Sequence, residues 1–473
     1  MKIRVSESGV CKISFSELQG MGITPGQLRV FGYGGAVLSQ NFQKKKIDDL
    51  PQVPVYVGSD YVLFWVQGPI AWSYNGSRIT HTRNTYSDYG YYFLTDNIGN
   101  LLAPTESAAV SGTPTEVTTY LNYQVHDFDS INLVDRTGVA GGGRDFYGEQ
   151  FNISQKRSFS FTTPNALTSE AASAYVDVAS YSKTETSFQV NLNGISKNVV
   201  IAASPDHYTM ACTGKASISK NALANQQKVN LTYTGATGSM GWLNYIELTT
   251  PCSLQMTGSW MSIRSTENYQ SATPVRFHLK GANSGIQIWD ITDLSAIRRM
   301  PTTMSGSEMQ WTASQQDGVH EFVAVDPNGS QWVHAEAVGE ISNQNLHSLR
   351  NIDYVIICPE GYQTVSEQLA QAHQAKQAIT WAVVTDQQVY NEFSSGTPDA
   401  TAYRWLMKML YDRADGANAK PRWLLLMGHG SYDNRKLLYN SGTNNLLTGS
   451  RPTPISMRPC VSFSPSLSSR KPK

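Results

Sequence analysis

The sequence predicts a mixed fold: antiparallel β-structure of the sandwich or jelly-roll type, followed by an α/β segment on a parallel sheet. Before residue 345, short segments alternate apolar and polar side chains and stop at Gly, Pro and Asn turns, the pattern of strands with one wet face. After residue 350 the strand-like runs are apolar throughout and are separated by helical patterns, as in a sheet covered on both faces. Composition agrees with a β-rich, exported protein. Charged residues are 16% of the 473, against roughly 25% in average soluble chains, and 37 Gly and 24 Tyr favour turns and strands.

The first β-rich domain is expected over residues 1–135. Residues 10–15 alternate, 27–31 run into Gly32-Tyr33-Gly34-Gly35, and 60–67 (DYVLFWVQ) is stopped by Gly68-Pro69. A β-sandwich domain is expected over 140–345, entered through Gly141-Gly142-Gly143. Its strands read at 157–163, 174–182, 187–192, 229–234 and 242–249, with late strands at 274–279, 286–291 and 321–325 completing it. Over 350–445 come a buried strand at 352–358 (IDYVIIC), a helix at 364–378, a second strand at 379–385 (ITWAVVT), a helix opened by Thr397-Pro398-Asp399 and closed by Gly416, and a third strand at 422–427 (RWLLLM). Residues 446–473 read as a disordered tail, either out-of-frame sequence or an ordinary flexible C-terminus. From Arg451 on, they hold Pro, Ser, Arg and Lys with no acid and no apolar period. Three parallel strands make a small sheet with open edges, so the α/β domain reads as cut short.

Lys and Arg (37) balance Asp and Glu (37), so bulk charge gives no footprint for nucleic acid. Five cysteines, Cys11, Cys212, Cys252, Cys358 and Cys460, are scattered without CxxC or Cys/His spacing. That excludes a zinc finger and a disulfide-dense scaffold, and no metal or cofactor is expected. A Cys212–Cys252 bridge stays open. Met1-Lys2-Ile3-Arg4-Val5 reads as a strand, so an export signal is expected upstream of it.

Parallel sheets meet ligands beyond the carboxyl ends of their strands. Here these ends are Pro359-Glu360-Gly361, Asp386 and Gly428-His429-Gly430-Ser431, which places Glu360, Asp386 and His429 along one rim. His429 is the candidate catalytic residue, a general acid or base near neutral pH. Its flanking glycines allow a sharp turn and free amides, though Gly-His-Gly also reads as a simple turn. Glu360 and Asp386 read as caps of the segments that follow. No GxSxG elbow supports a serine nucleophile, Cys358 reads as a core residue, and Cys460 lies in the tail without a strand to place it. Trp65, Trp72, Trp242, Trp289 and Trp311 read as core more than as a glycan platform. A metal-assisted hydrolase using His429 with Asp386 has no ligand spacing in its favour.

Residues 353–357 (DYVII), 389–402 (VYNEFSSGTPDATA) and 424–435 (LLLMGHGSYDNR) resemble the opening of the peptidase domain of the gingipain-family cysteine peptidases, in particular the sortases of the type IX secretion system in Bacteroidota. Arg29–Gly35, Gly68-Pro69 and Trp72-Ser73-Tyr74-Asn75 extend the resemblance upstream. It implies the first half of a caspase-like α/β domain behind β-domains. It also implies a Cys–His dyad that removes C-terminal sorting signals from exported cargo, at the cell surface or outer membrane, beside other secretion-system components. The family carries Asp where this chain has His429, and its dyad comes later in the domain. The chain therefore reads as a truncated, inactive form. A cell-surface β-sandwich binding or assembly module is the alternative.

Overall fold

Alternating strands have one face to bury, and the structure pairs them into facing antiparallel sheets. The computed structural model describes residues 1–44, 47–97, 99–133, 145–152, 155–204, 211–438 and 446–449. A five-stranded sheet runs in the order Glu336–Gly339, Lys2–Val5, Gly90–Thr95, Arg29–Phe31, Gln52–Val53. It shares a core of Ile3, Val30 and Leu94 with Val10, Leu63 and Phe64 of a three-stranded sheet. A second pair of sheets, led by Ala171–Tyr181 with Met240–Ser253 and by Thr186–Leu192 with Asn225–Thr234, encloses Phe151, Phe188, Val190, Leu231 and Ile246.

The late strands do not complete that sandwich. Val275–Lys280 pairs with Thr115–Val117 and Glu308–Ala313, and Glu321–Val325 pairs with Trp260–Arg264 and Gln287–Asp290, in two sheets of their own. One face of them builds a core of its own, with Phe277 stacked on Trp311 (centroids 4.8 Å apart, planes 9° apart) and Phe322 against both, while Trp289, Val323 and Val325 join the N-terminal core. Alternation reports which face of a strand is buried and says nothing about which sheet buries it. Cys212 and Cys252 are free thiols. Register sets Cys212 opposite Ser180 and Ser180 opposite Gly241, eleven positions along the strand from Cys252 (252 − 241). At about 3.3 Å per residue that is far beyond disulfide reach.

The α/β unit follows its sequence closely. The order is Trp381–Thr385, Tyr354–Cys358, Trp423–Leu426, all parallel. Successive side chains of the central strand enter different cores: Val355 and Ile357 join Val384, Phe393 and Leu406, while Tyr354 and Ile356 join Ala370 and Ile379. Both faces are covered, which is why the strand is apolar without alternation. The Gln363–Gln377 helix ends on Ala378 in the left-handed region.

Two helices follow the second strand where the sequence suggested one. Thr385 caps Asp386–Phe393 through a capping box with Gln388. The next helix opens at Thr401, with the Asp399 carboxylate accepting its amide at 2.7 Å. Thr397 is not its cap, because the Ser394–Asp399 turn is committed elsewhere. The Thr397 hydroxyl donates to Gly34 O (3.1 Å), and Asp399 accepts the Leu38 amide (2.8 Å). Ser395, fully buried, accepts the amides of Tyr33 (2.9 Å) and Gly34 (3.2 Å) and donates to Tyr91 O (2.9 Å). Gly32, at φ 128°, leaves room for that hydroxyl, since a Cβ there would sit 2.6 Å from it. The turn thus docks the α/β unit on the N-terminal sheet.

Ser395→Ala leaves two buried amides without an acceptor. Its expected cost is about 2 kcal/mol, read as a fall in the urea midpoint at unchanged m-value; an unchanged midpoint contradicts the docking role.

Candidate functional site at the rim of the parallel sheet

The register puts Cys358 beside Thr385, and Ile357 beside Leu426. The residues that follow, Glu360, Asp386 and His429, therefore leave the sheet at the same edge, as their positions in the chain suggest. Their environments differ. Glu360 is exposed. Asp386 opens a helix at its N-terminus, where amides favour a carboxylate, yet burial and then the charge of Glu360 push its carboxyl up to about 6.

A lysine from the far end of the chain sits over this rim. Lys2, 5% exposed, donates from Nζ to Asn391 Oδ1 (3.1 Å) and lies 4.6 Å from the centroid of the Tyr91 ring. Burial pushes its ammonium down to about 8, while Glu360 and Asp386 pull the other way. Gly396, at φ 76°, makes the space, since a Cβ there would come 2.9 Å from Lys2 Cε.

His429 follows Gly428 (φ 154°) and is exposed, its imidazole bonded to none of the described residues. Its carbonyl accepts the Leu446 amide at 3.1 Å. Thr448 closes the same loop: its hydroxyl donates to Ser431 O (2.7 Å), and its amide donates to Asn434 Oδ1 (3.0 Å). The loop presents a histidine to solvent at the carboxyl edge of the sheet.

Among the described residues no thiol accompanies it. Cys358 is fully buried, its Sγ 3.7 Å from Val384 O, and burial raises its pKa. It is a core side chain. Cys460 and most of the tail reading at 446–473 lie outside the described residues, of which 446–449 are the exception.

Sequence reasoning missed Lys2 and Arg435. A lysine in an apolar strand reads as edge solvation, and only the helix far along the chain that carries Asn391 reveals its burial. Arg435 closes the resemblance run, yet its partners, Asp88 (2.6 Å) and Asp129, lie some three hundred positions away.

These features define an α/β segment on a parallel sheet behind β-sandwiches. Residues 347–461 match the family model of peptidase family C25, in agreement with the gingipain resemblance of the 389–402 run. Among solved structures, the chain is similar to dimeric latent PorU from Porphyromonas gingivalis, with a TM-score of 0.83 and 29% identity over 94% of this chain and 43% of that one. It thus spans less than half the length of that PorU chain. CBM35 from Cellvibrio japonicus Abf62 aligns at a TM-score of 0.19 and 12% identity, over 28% of this chain and 96% of that one, which carries no argument. No curated protein matches the sequence. Among the described residues no helix is long and apolar enough to cross a membrane.

The Asp386 carboxyl binds its proton more tightly in the folded chain than its ordinary value of 3.8. Its contribution is therefore present below that value and is lost as pH rises through about 6. Asp386→Asn is expected to match the parent at pH 4 and to exceed it at pH 7 by about 1–2 kcal/mol, after allowance for partial exposure. Urea melts at the two pH values check this, and equal differences would contradict it.

Proposed function

We propose that the chain is part of a gingipain-family cysteine peptidase that acts as a C-terminal signal sortase of the type IX secretion system. The observation that carries this reading is the likeness to PorU over 94% of the chain, with the C25 match falling on the parallel sheet and its rim. Its substrates would be exported proteins with C-terminal sorting signals, and its partners outer-membrane components of the secretion machinery, with the protein at the cell surface. In such a reaction a cysteine thiolate attacks the scissile carbonyl, an imidazole manages the protons and backbone amides hold the oxyanion. His429, exposed on a turn at the carboxyl edge, is the side chain of this chain proposed to meet the substrate as acid or base.

The polypeptide on its own is proposed not to cleave peptides. Two observations support this: the described rim lacks an accessible thiol, and among the described residues the third strand is an edge on which Leu424–Leu426 are only half-buried. A caspase-like sheet would continue past that edge, and the nucleophile would belong to the continuation.

Two experiments separate these statements. A thiol-reactive peptidyl acyloxymethyl ketone is expected not to label the purified chain; labelling at Cys460 that disappears in His429→Ala overturns the inactivity. Loss of the gene is expected to leave cargo with uncleaved C-terminal signals, and normal processing in its absence overturns the sortase reading.

A further inference from the structure

Arg435 has a place in neither the rim nor the core, yet its side chain is only 4% exposed. Its guanidinium forks between two carboxylates on separate β units. One nitrogen reaches Asp88 at 2.6 Å, in the loop that leads into the N-terminal strand Gly90–Thr95. The other reaches Asp129, just past the Thr119–Asp127 strand of the second sandwich.

The surroundings are a continuous charge network. Arg83 bonds Asp127 (2.9 Å) and lies 4.0 Å from both Asp88 and Asp129. His81 bridges Asp127 (3.1 Å) and Glu247 (2.6 Å), and Arg78 pairs with Glu247. Four carboxylates face three guanidinia and one imidazole, so removing Arg435 leaves an acidic excess beside Asp127 and Asp129, which solvent barely reaches. Burial and the neighbouring Asp127 already push the Asp129 carboxyl up to about 6, against the pull of Arg435 and Arg83.

The segment carrying Arg435 is the His429 loop. That loop is bound to itself through Asn434, Thr448 and Asp433, whose carboxylate accepts the amides of Leu437 (2.9 Å) and Leu438 (2.8 Å). At one end Leu446 packs into the core of the α/β unit. At the other, Arg435 holds it to the β-sandwiches.

We propose that Arg435 is a positioning residue, a strut that sets the His429 loop by clamping it to two β units at once. Any displacement of one β unit against the other reaches the rim through it, which makes the β-sandwiches a control element of the site. As regulation of a peptidase, this rests on the function proposed above. The strut itself does not, and is measurable without catalysis.

The test is hydrogen exchange on the full chain, followed by mass spectrometry. In Arg435→Gln, amides of residues 429–438 are expected to exchange roughly tenfold faster or more, while those of 354–358 stay as protected as in the parent. Asp88→Asn with Asp129→Asn is expected to reproduce this, and adding Arg435→Gln to that pair is expected to change nothing further. Asp88→Asn alone, at a half-exposed side chain that tolerates replacement, is expected to give a smaller acceleration confined to the same segment. Unchanged exchange of 429–438 in these variants, or acceleration shared equally with 354–358, overturns the proposal. Because the readout needs no proteolysis, a chain that is inactive throughout leaves it standing or falling on exchange alone.

Discussion

One buried hydroxyl joins the two halves of this molecule. Ser395 Oγ takes two amides from the chain at Tyr33 and Gly34 and gives its proton to Tyr91 O, in a place with no solvent to substitute for any of them. A backbone amide buried without a partner is costly, so the N-terminal strands and the α/β turn each satisfy groups the other leaves open. The Tyr33 hydroxyl on Phe393 O (3.0 Å) and the Trp405 indole on Ser39 O (3.1 Å) extend the seam. With so many directional bonds in one register, the β-domain behaves as part of the α/β unit's framework and not as a tethered neighbour.

The chemistry of the rim depends on that seam. Lys2 reaches Asn391 only because its strand is docked, and it then lies within reach of the charges of the exposed Glu360 and the partly buried Asp386. Burial raises the aspartate, with the charge of Glu360 adding to it, and burial lowers the lysine against the pull of Glu360 and Asp386. The result is a rim whose proton inventory changes near neutral pH beside an exposed histidine. A parallel sheet alone would supply the geometry of such an edge. Its buried cation here comes from a strand more than three hundred positions upstream.

Much of this architecture was legible in the chain itself. The strands of the α/β unit could be read because a segment buried on both faces has no polar side chains to confuse it, as in 352–358. Glu360, Asp386 and His429 followed from the parallel arrangement. The helix Asp386–Phe393 was hidden because its buried face carries Tyr390, Asn391 and Glu392, polar residues satisfied by distant partners such as Gln344 and His347. Thr397-Pro398-Asp399 has the composition of a helix start, but its polar groups serve the seam. The sheet membership of the late strands was likewise out of reach, since Phe277, Trp311 and Phe322 carry the same alternation whichever core receives them. What the sequence withheld was long-range pairing, in each case.

The claim that the two units form one framework is tested most directly by their own buried thiols. Cys11 lies in the N-terminal core and Cys358 in the central parallel strand, both fully buried. Labelling by a thiol reagent across a urea series, resolved by mass spectrometry, reports the opening of each separately. The account predicts one common midpoint for the two cysteines. Labelling of Cys358 at clearly lower urea, with Cys11 still protected, would contradict it.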